Sequence, residues 1–194
     1  LGVKVLLNKP PVNPGERHVN YQIVSARAGI AEAKKRGAKY VLKTRTDQRL
    51  YSSNVLGLLY ALIKVFPLAD KVKRQYGQRE RLIGITSDTS RYKLFHFSDQ
   101  FLFGHIDDIE RYWAVKLFEE HIEKFKPERY FFTSYLRNIG YPEGGTHMDA
   151  WKAYAELCIV ADDSMVDLFW YKYNYHHVFR TVSYSEQPGY ISFS

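Results

Sequence analysis

The sequence predicts an α/β fold in which a mixed, mostly parallel sheet is flanked by helices, in layers like those of a Rossmann fold. Short apolar runs with strand composition alternate along the chain with segments of helical period. Several of these runs end abruptly in polar residues, as at residues 40–45, where Tyr, Val and Leu are followed by Lys, Thr and Arg. No internal repeat or low-complexity tract interrupts the alternation, which favours an α/β layer fold.

The first predicted unit contains two strands and a helix. Residues 1–7 have strand composition, and the proline-rich residues 8–15 form a loop. Asn20 is expected to cap a helix that stops at Gly37, because glycine is the usual residue just after a helix end. Residues 40–43 then form a buried, interior strand, which completes a strand–helix–strand unit.

The rest of the chain continues the alternation. The predicted elements, in chain order, are a helix over residues 55–66, a solvated basic segment over 70–81, a strand over 82–86, a polar loop over 87–91, a strand over 101–103 that stops at Gly104, a helix that begins at Asp107 or Asp108, a helix from Pro127 to Gly140, a helix that continues into a strand over 148–160, and an aromatic segment over 168–180. We therefore expect one domain over residues 1–194.

Composition narrows the partners and the compartment. The 194 residues include 28 Lys and Arg and 21 Asp and Glu, which gives a net charge of +7. This charge favours anionic partners such as nucleotide phosphates, nucleic acid or an anionic membrane face. The single cysteine, Cys158, cannot form an internal disulfide and is typical of a reducing compartment. No stretch approaches the roughly 20 apolar residues of a membrane span.

Arg45 and Asp47 follow the strand at residues 40–43, where α/β proteins usually bind ligands. A carboxylate beside cations can hold a divalent metal and a diphosphate together. The alternative is a surface turn with an Arg–Asp ion pair, and position and composition leave both open. We expect both residues to open into the largest cleft.

Three further groups of residues are candidates for chemistry. Asp99, before a strand that ends at Gly104, offers a carboxylate close to a position that permits close backbone approach. Glu128, in the first turn of a helix, is either a general base or only a favourable charge at the helix dipole. His176 and His177 can supply a metal ligand, but adjacent strand residues point to opposite faces, so one of the two would serve.

Several common catalytic motifs are absent from the sequence. It contains no Walker phosphate loop, no glycine-rich dinucleotide fingerprint, no Cys-x-x-Cys zinc site and no Gly-x-Ser-x-Gly nucleophile motif. Any use of a nucleotide would therefore depend on a metal and a cleft at the sheet edge.

Five segments in one order resemble the WavE-type lipopolysaccharide-synthesis family, and the resemblance covers residues 3–173. The segments are NYQIVS (20–25), YVLKTRTD (40–47), SDQFLFG (98–104), PERY (127–130) and LFWYKY (168–173). This family resembles sugar-nucleotide glycosyltransferases of the GT-A fold. The resemblance implies a divalent metal, Mn²⁺ or Mg²⁺, and a nucleotide-diphosphate sugar donor. It also implies that the chain begins after the first nucleotide-binding strand of such a fold.

The resemblance assigns roles to individual residues. It implies that Arg45-Thr46-Asp47 replaces an Asp-x-Asp metal motif, that Asp47 and His176 or His177 bind the metal, and that Glu128 is the catalytic base. It further implies donor contacts, in which Gly104 lies near the donor sugar; the full set is Asn20, Gln22, Lys43, Arg45, Gly104, Lys172 and Tyr173. Arg45 departs from the motif, and its guanidinium can instead neutralise the diphosphate.

The sequence thus predicts a metal-assisted glycosyltransferase for a lipopolysaccharide or surface-polysaccharide acceptor. Asp99 would place the acceptor, and Glu128 would take its proton, giving inversion. The protein is expected in the cytoplasm, peripheral at the inner face of an anionic membrane. Residues 172–180 are expected to fold over the cleft near Asp47. The alternative function is a basic, aromatic nucleic-acid-binding module.

Overall fold

A computed structural model describes residues 3–119 and 125–170 of the chain. The strands of this part are β1 (Tyr40–Lys43), β2 (Gln48–Leu50), β3 (Leu82–Ile85), β4 (Leu102–His105), β5 (Cys158–Ala161) and β6 (Leu168–Trp170). The helices are α1 (Val19–Lys35), α2 (Val55–Val65), α3 (Asp70–Tyr76), α4 (Ile106–Trp113), α5 (Pro127–Ile139) and α6 (His147–Leu157), with short 3-10 turns at Glu16–His18, Thr86–Asp88 and Asp163–Val166.

Four strands form a mixed sheet in the order β1-β4-β3-β5, and β2 pairs with β6 in a second, two-stranded sheet. β4 is antiparallel to both β1 and β3, whereas β3 and β5 are parallel. The predicted mixed sheet flanked by helices is confirmed. Neighbouring strands are nevertheless mostly antiparallel, because β4 lies between two strands that run the other way. In the described part of the chain, β1 is an edge strand, so the prediction of an interior strand is wrong.

Side chains that alternate along the strands supply two cores, one on each face of the sheet. Leu82 of β3 and Leu102 of β4 pack with the buried residues of α1, α4, α5 and α6. The next residues, Ile83 and Phe103, pack with α2 and with the region of β6. Because side chains alternate between the two faces of the sheet, both faces of the central sheet are apolar, and helices pack on both.

Helix ends follow the signals in the sequence. Gly37, with φ 75°, and Gly140, with φ 73°, adopt the left-handed conformation just after α1 and at the end of α5. Pro127 occupies the first turn of α5. At the start of α6, Thr146 and Asp149 form a reciprocal capping box, because each side chain accepts a hydrogen bond from the main-chain N–H of the other.

The predicted first strand does not form among residues 3–7. Val3, Val5 and Leu7 are largely exposed, and these residues have irregular structure. A strand needs a neighbour for its backbone N–H and C=O groups, and none pairs with this segment in the described residues. The predicted strand–helix–strand unit is therefore incomplete.

Two local predictions also need correction. Asn20 does not cap α1, because it lies inside that helix and His18 occupies the cap position. The segment over residues 70–81 is not only a solvated connection, since its first half forms α3 and buries Val72. None of the helices in the described residues has the length and apolarity needed to cross a membrane.

Gly84 of β3 allows a close approach by the segment that precedes β4. A β-carbon at this position would lie 2.8 Å from Cβ of Ser98 and 2.9 Å from Cζ of Phe97. We expect Gly84→Ala to destabilise the protein by about 1–3 kcal/mol, the usual cost of overpacking a core. Gly29→Ala is the control, because that exposed helix position has nothing within 4 Å of the new methyl group and should gain about 0.5–1 kcal/mol. Equal denaturant midpoints for the two variants would contradict this packing.

Cys158 provides a direct probe of the parallel pair between β3 and β5. The side chain is buried, and burial raises the pKa of its thiol well above the usual range. Since the thiolate is the reactive form, the folded protein should react with a disulfide reagent such as DTNB at least about 100-fold more slowly than a free thiol at pH 8. Denaturant should release one thiol per chain, and rapid reaction of the native protein would place Cys158 outside the core.

Candidate active site

Three carboxylates from separate parts of the chain meet inside the protein. Asp88, Asp99 and Glu128 each offer a carboxylate oxygen within 4.8 Å of the other two. Asp88 ends the turn after β3, Asp99 lies before β4, and Glu128 lies in the first turn of α5. We call these three residues the carboxylate cluster. The structure thus brings together two of the three predicted acidic residues, Asp99 and Glu128, and adds Asp88.

The sheet topology explains why the candidates converge. β1 and β3 run in the same direction, and β4 runs against both. The C-terminal ends of β1 and β3 and the N-terminal end of β4 therefore lie together, along the edge of the sheet that is formed by strand ends. Arg45 follows β1, Asp88 follows β3 and Asp99 precedes β4, so all three belong to this edge.

Asp88 holds the turn that carries Asp99. Its Oδ2 accepts hydrogen bonds from the main-chain N–H of Asp99 at 3.0 Å and of Gln100 at 3.1 Å, and from Ser98 Oγ at 3.3 Å. Burial, together with the nearby carboxylates of Asp99 and Glu128, raises the pKa of Asp88 well above its usual range. Asp88 is therefore fixed by donors while it remains next to like charges.

Asp99 is held from two sides. Gln22 Nε2 donates to Asp99 Oδ2, and Lys43 Nζ donates to the main-chain oxygen of Asp99 at 2.6 Å. Asp99 Oδ1 is buried and has no hydrogen-bond donor among the described residues. Burial raises the pKa of Asp99, while the positive charge of Lys43 acts in the opposite direction. Gln22 and Lys43, both predicted donor contacts, thus meet at Asp99.

Lys43 is a half-buried cation beside the cluster. Burial lowers the pKa of Lys43 to about 8, and the carboxylates of Asp99 and Asp88 oppose this effect. The ammonium lies 5.1 Å from the ring centroid of Trp113. At neutral pH most molecules therefore carry a positive charge at this position.

Glu128 has a histidine neighbour that reasoning from the sequence missed. His96 Nε2 lies 3.4 Å from Glu128 Oε2, which has no hydrogen-bond donor in the described part of the chain. Burial lowers the pKa of His96 to about 4, so its ring is neutral at pH 7. Glu128 therefore faces a neutral ring, and its position in the first turn of α5 favours a negative charge.

An open groove of about 740 Å³ leads to this edge of the sheet. Its basic lining residues are Lys9, Arg17, His18, Lys43 and Arg45. Gln22 also lines the groove, so Gln22 and Lys43 connect the groove to Asp99. Cations and amides along a groove can bind an anionic ligand such as a diphosphate.

Arg45 and Asp47 form the ion pair that the sequence left open as an alternative. Arg45 Nε and Nη2 donate to the two carboxylate oxygens of Asp47 at 2.8 and 3.0 Å, and Trp170 Nε1 donates to Asp47 Oδ2 at 3.2 Å. The Arg45 guanidinium holds the pKa of Asp47 down to about 2. Arg45 lines the groove, and a metal at Asp47 would have to displace Arg45 from the carboxylate.

Other predicted residues lie in the fold as follows. Asn20 is buried; its Nδ2 donates to the main-chain oxygen of Phe118 at 2.8 Å, and its Oδ1 accepts from the Phe118 N–H at 2.7 Å. Gly104 lies inside β4, where a β-carbon would be 3.1 Å from Leu82 Cδ2. Both residues have structural roles in the fold. Their contacts with a nucleotide-sugar donor remain predictions. The remaining predicted site residues, Lys172, Tyr173, His176 and His177, lie outside the described residues.

Asp88 was missed because the sequence marks residues 87–91 only as a polar loop. One signal was available: Asp88 follows β3 as Asp47 follows β1, and both strands end at the same sheet edge. Reasoning from the sequence did not supply the antiparallel pairing of β4, which places Asp99 next to Asp88. The shared edge therefore became visible only with the topology.

One of three comparisons with known proteins identifies a family. The model of the family described as "WavE lipopolysaccharide synthesis" matches residues 11–166, which is more than three quarters of the chain. No curated protein and no solved structure matches the chain. The match spans β1, all three members of the carboxylate cluster and the groove lining from Pro11 onward. The chain therefore belongs to the WavE lipopolysaccharide synthesis family, as its sequence motifs predicted.

Proposed function

We propose that this protein is a glycosyltransferase that moves a sugar from a nucleotide-diphosphate donor to a lipopolysaccharide or surface-polysaccharide acceptor. The family's name gives the role in lipopolysaccharide synthesis. One observation carries the finer proposal: Lys43 lines the basic groove and also donates a hydrogen bond to the main chain of Asp99. A site for an anionic leaving group thus adjoins carboxylates that can accept a proton.

In the proposed arrangement, the donor diphosphate lies in the groove. Arg45 offers a planar guanidinium suited to phosphate oxygens, and Lys43 adds a charge at the inner end. When the glycosidic bond breaks, negative charge develops on the leaving nucleoside diphosphate. Fixed cations at that position stabilise the transition state more than the ground state.

The carboxylate cluster would serve the acceptor. We assign proton acceptance to the carboxylate of Glu128, which faces the ring of His96, and acceptor placement to Asp99. The neutral ring of His96 leaves the negative charge of Glu128 uncompensated on that side. Direct transfer with one base gives inversion at the anomeric carbon.

The mixed α/β fold is compatible with GT-A-like layering, which forms part of the proposal. That resemblance also implies a divalent ion, for which Asp47 and His176 or His177 stay predicted ligands. In this structure, both oxygens of Asp47 accept hydrogen bonds from Arg45, so Asp47 fits an ion only after Arg45 moves. The proton transfer proposed above does not depend on that ion.

The net charge of the protein supports a proposal for its location. A net charge of +7 favours peripheral contact with an anionic membrane surface, and we place the protein in the cytoplasm at the inner face of the membrane. Binding of single-stranded nucleic acid is the alternative that a salt-dependent oligonucleotide titration would detect.

Glu128→Gln tests proton acceptance. The amide keeps the size of the side chain but cannot take a proton, so turnover of the cognate donor should fall by roughly 10² to 10⁴ while donor affinity stays near wild type. Glu143→Gln is the matched control, because Glu143 forms an ion pair with Arg137 near the other end of α5. A screen of nucleotide-diphosphate sugars by nucleotide release identifies the donor. Unchanged turnover in Glu128→Gln would remove Glu128 as the base.

Arg45→Gln tests the groove. Loss of a charge-assisted contact to phosphate should weaken donor binding about tenfold or more and reduce its dependence on salt. Arg36→Gln is the control, since Arg36 pairs with Glu32 at the far end of α1. Calorimetry with the identified donor measures both variants. Equal affinity for wild type and Arg45→Gln would place the diphosphate elsewhere.

A further inference from the structure

Two oxygens of the carboxylate cluster lack hydrogen-bond donors in the described residues. Asp99 is only 2% exposed; its Oδ2 accepts from Gln22, and its buried Oδ1 has no donor. Glu128 Oε2 is likewise buried without a donor. A buried carboxylate oxygen without a donor is unfavourable, because water cannot reach it to replace the missing hydrogen bond.

The charges of the cluster are not balanced by the side chains around it. Asp88, Asp99 and Glu128 can carry three negative charges within a few ångströms. The positive charges of Lys43 and Arg45 act on the cluster. Lys43, however, donates to the main-chain oxygen of Asp99 rather than to a carboxylate, and Arg45 forms its ion pair with Asp47. Gln22 contributes a neutral donor. A further positive charge would therefore stabilise the folded state.

We propose that Asp88, Asp99 and Glu128 bind one divalent cation of the Mg²⁺, Mn²⁺ and Ca²⁺ class. Carboxylate oxygens are the ligands that these hard cations prefer, and three oxygens within 4.8 Å of one another can reach one ion. One oxygen from each residue suffices: the unpaired Oε2 of Glu128 would bind the ion, which leaves its Oε1 for the proton transfer proposed above. This site is separate from the one predicted at Asp47.

The surrounding contacts resemble those that orient metal ligands. Gln22 fixes the carboxylate plane of Asp99 through Oδ2. Gln100 Nε2 donates to Asp88 Oδ1 at 3.3 Å, while main-chain N–H groups hold Oδ2. Such outer contacts keep ligand oxygens in place before an ion binds, which lowers the entropic cost of binding.

Titration with Mn²⁺ after removal of metals with EDTA tests the proposal. Electron paramagnetic resonance of free Mn²⁺ should give one site per wild-type chain, and Mn²⁺ should raise the melting temperature. Asp99→Asn and Glu128→Gln should each weaken Mn²⁺ binding about tenfold or more, because each replaces a charged ligand by a neutral amide. Without metal, both variants should melt at or above the wild-type temperature, since each removes a buried like charge.

Asp108→Asn is the matched control. Asp108 is also fully buried and accepts hydrogen bonds from the main-chain N–H groups of Arg79 and Glu80 at 3.0 Å, but it is not part of the cluster. This variant should bind Mn²⁺ like wild type even where its stability is lower. Asp47→Asn should also retain the site, which distinguishes it from an ion held at Asp47.

Three results would overturn the proposal: no stoichiometric Mn²⁺ binding by wild type, binding that survives in Glu128→Gln and Asp99→Asn, or loss of binding only in Asp47→Asn. Glu128→Gln decides the matter even where Asp99→Asn does not fold, because the Glu128 side chain retains 16% exposure at the start of α5. Mn²⁺ binding without release of nucleotide from any donor would contradict the proposed transfer and leave the cation site intact.

Discussion

Burial of three carboxylates at one edge of the sheet is the constraint on which the rest of the site depends. Like charges within 4.8 Å of one another are unfavourable in an interior of low dielectric constant. Hydrogen bonds and close packing around the cluster offset this cost. Main-chain N–H groups bind Asp88, Gln22 binds Asp99, and the absence of a side chain at Gly84 lets the turn before β4 approach β3.

The groove and the carboxylate cluster are two halves of one arrangement, joined by Gln22 and Lys43. Gln22 comes from α1 and Lys43 from the end of β1, so packing of this helix near the edge strand brings an amide and an ammonium to the same carboxylate. Partial burial of Lys43 reduces the screening of its charge by water. A ligand anion in the groove would therefore change the electrostatics of Asp99 directly.

Much of the fold was accessible from the sequence because its signals are local. The switch from apolar to polar residues located β1, and Pro127 with Gly140 bounded α5 correctly. Residues 3–7 have strand composition but no strand partner in the described residues, so composition alone misled. Asp88 follows a strand as Asp47 does, but its place next to Asp99 comes from the antiparallel position of β4, which local signals do not give.

Two of the three predicted acidic residues, Asp99 and Glu128, meet in space although they lie far apart in the sequence. Both residues lie within the segment that matches the WavE lipopolysaccharide synthesis family. The ion pair of Arg45 with Asp47 adds a point of adjustment, because a diphosphate can compete with Asp47 for the guanidinium.

A crystal structure with a bound nucleoside diphosphate is the most direct test that the groove and the cluster form one site. Our account predicts that the diphosphate lies in the groove with oxygen atoms within about 3.2 Å of Arg45 or Lys43, hydrogen-bond distance for a charged pair. The sugar-side phosphate would then face Asp99. A diphosphate bound on another surface, with the groove occupied only by solvent, would contradict the account.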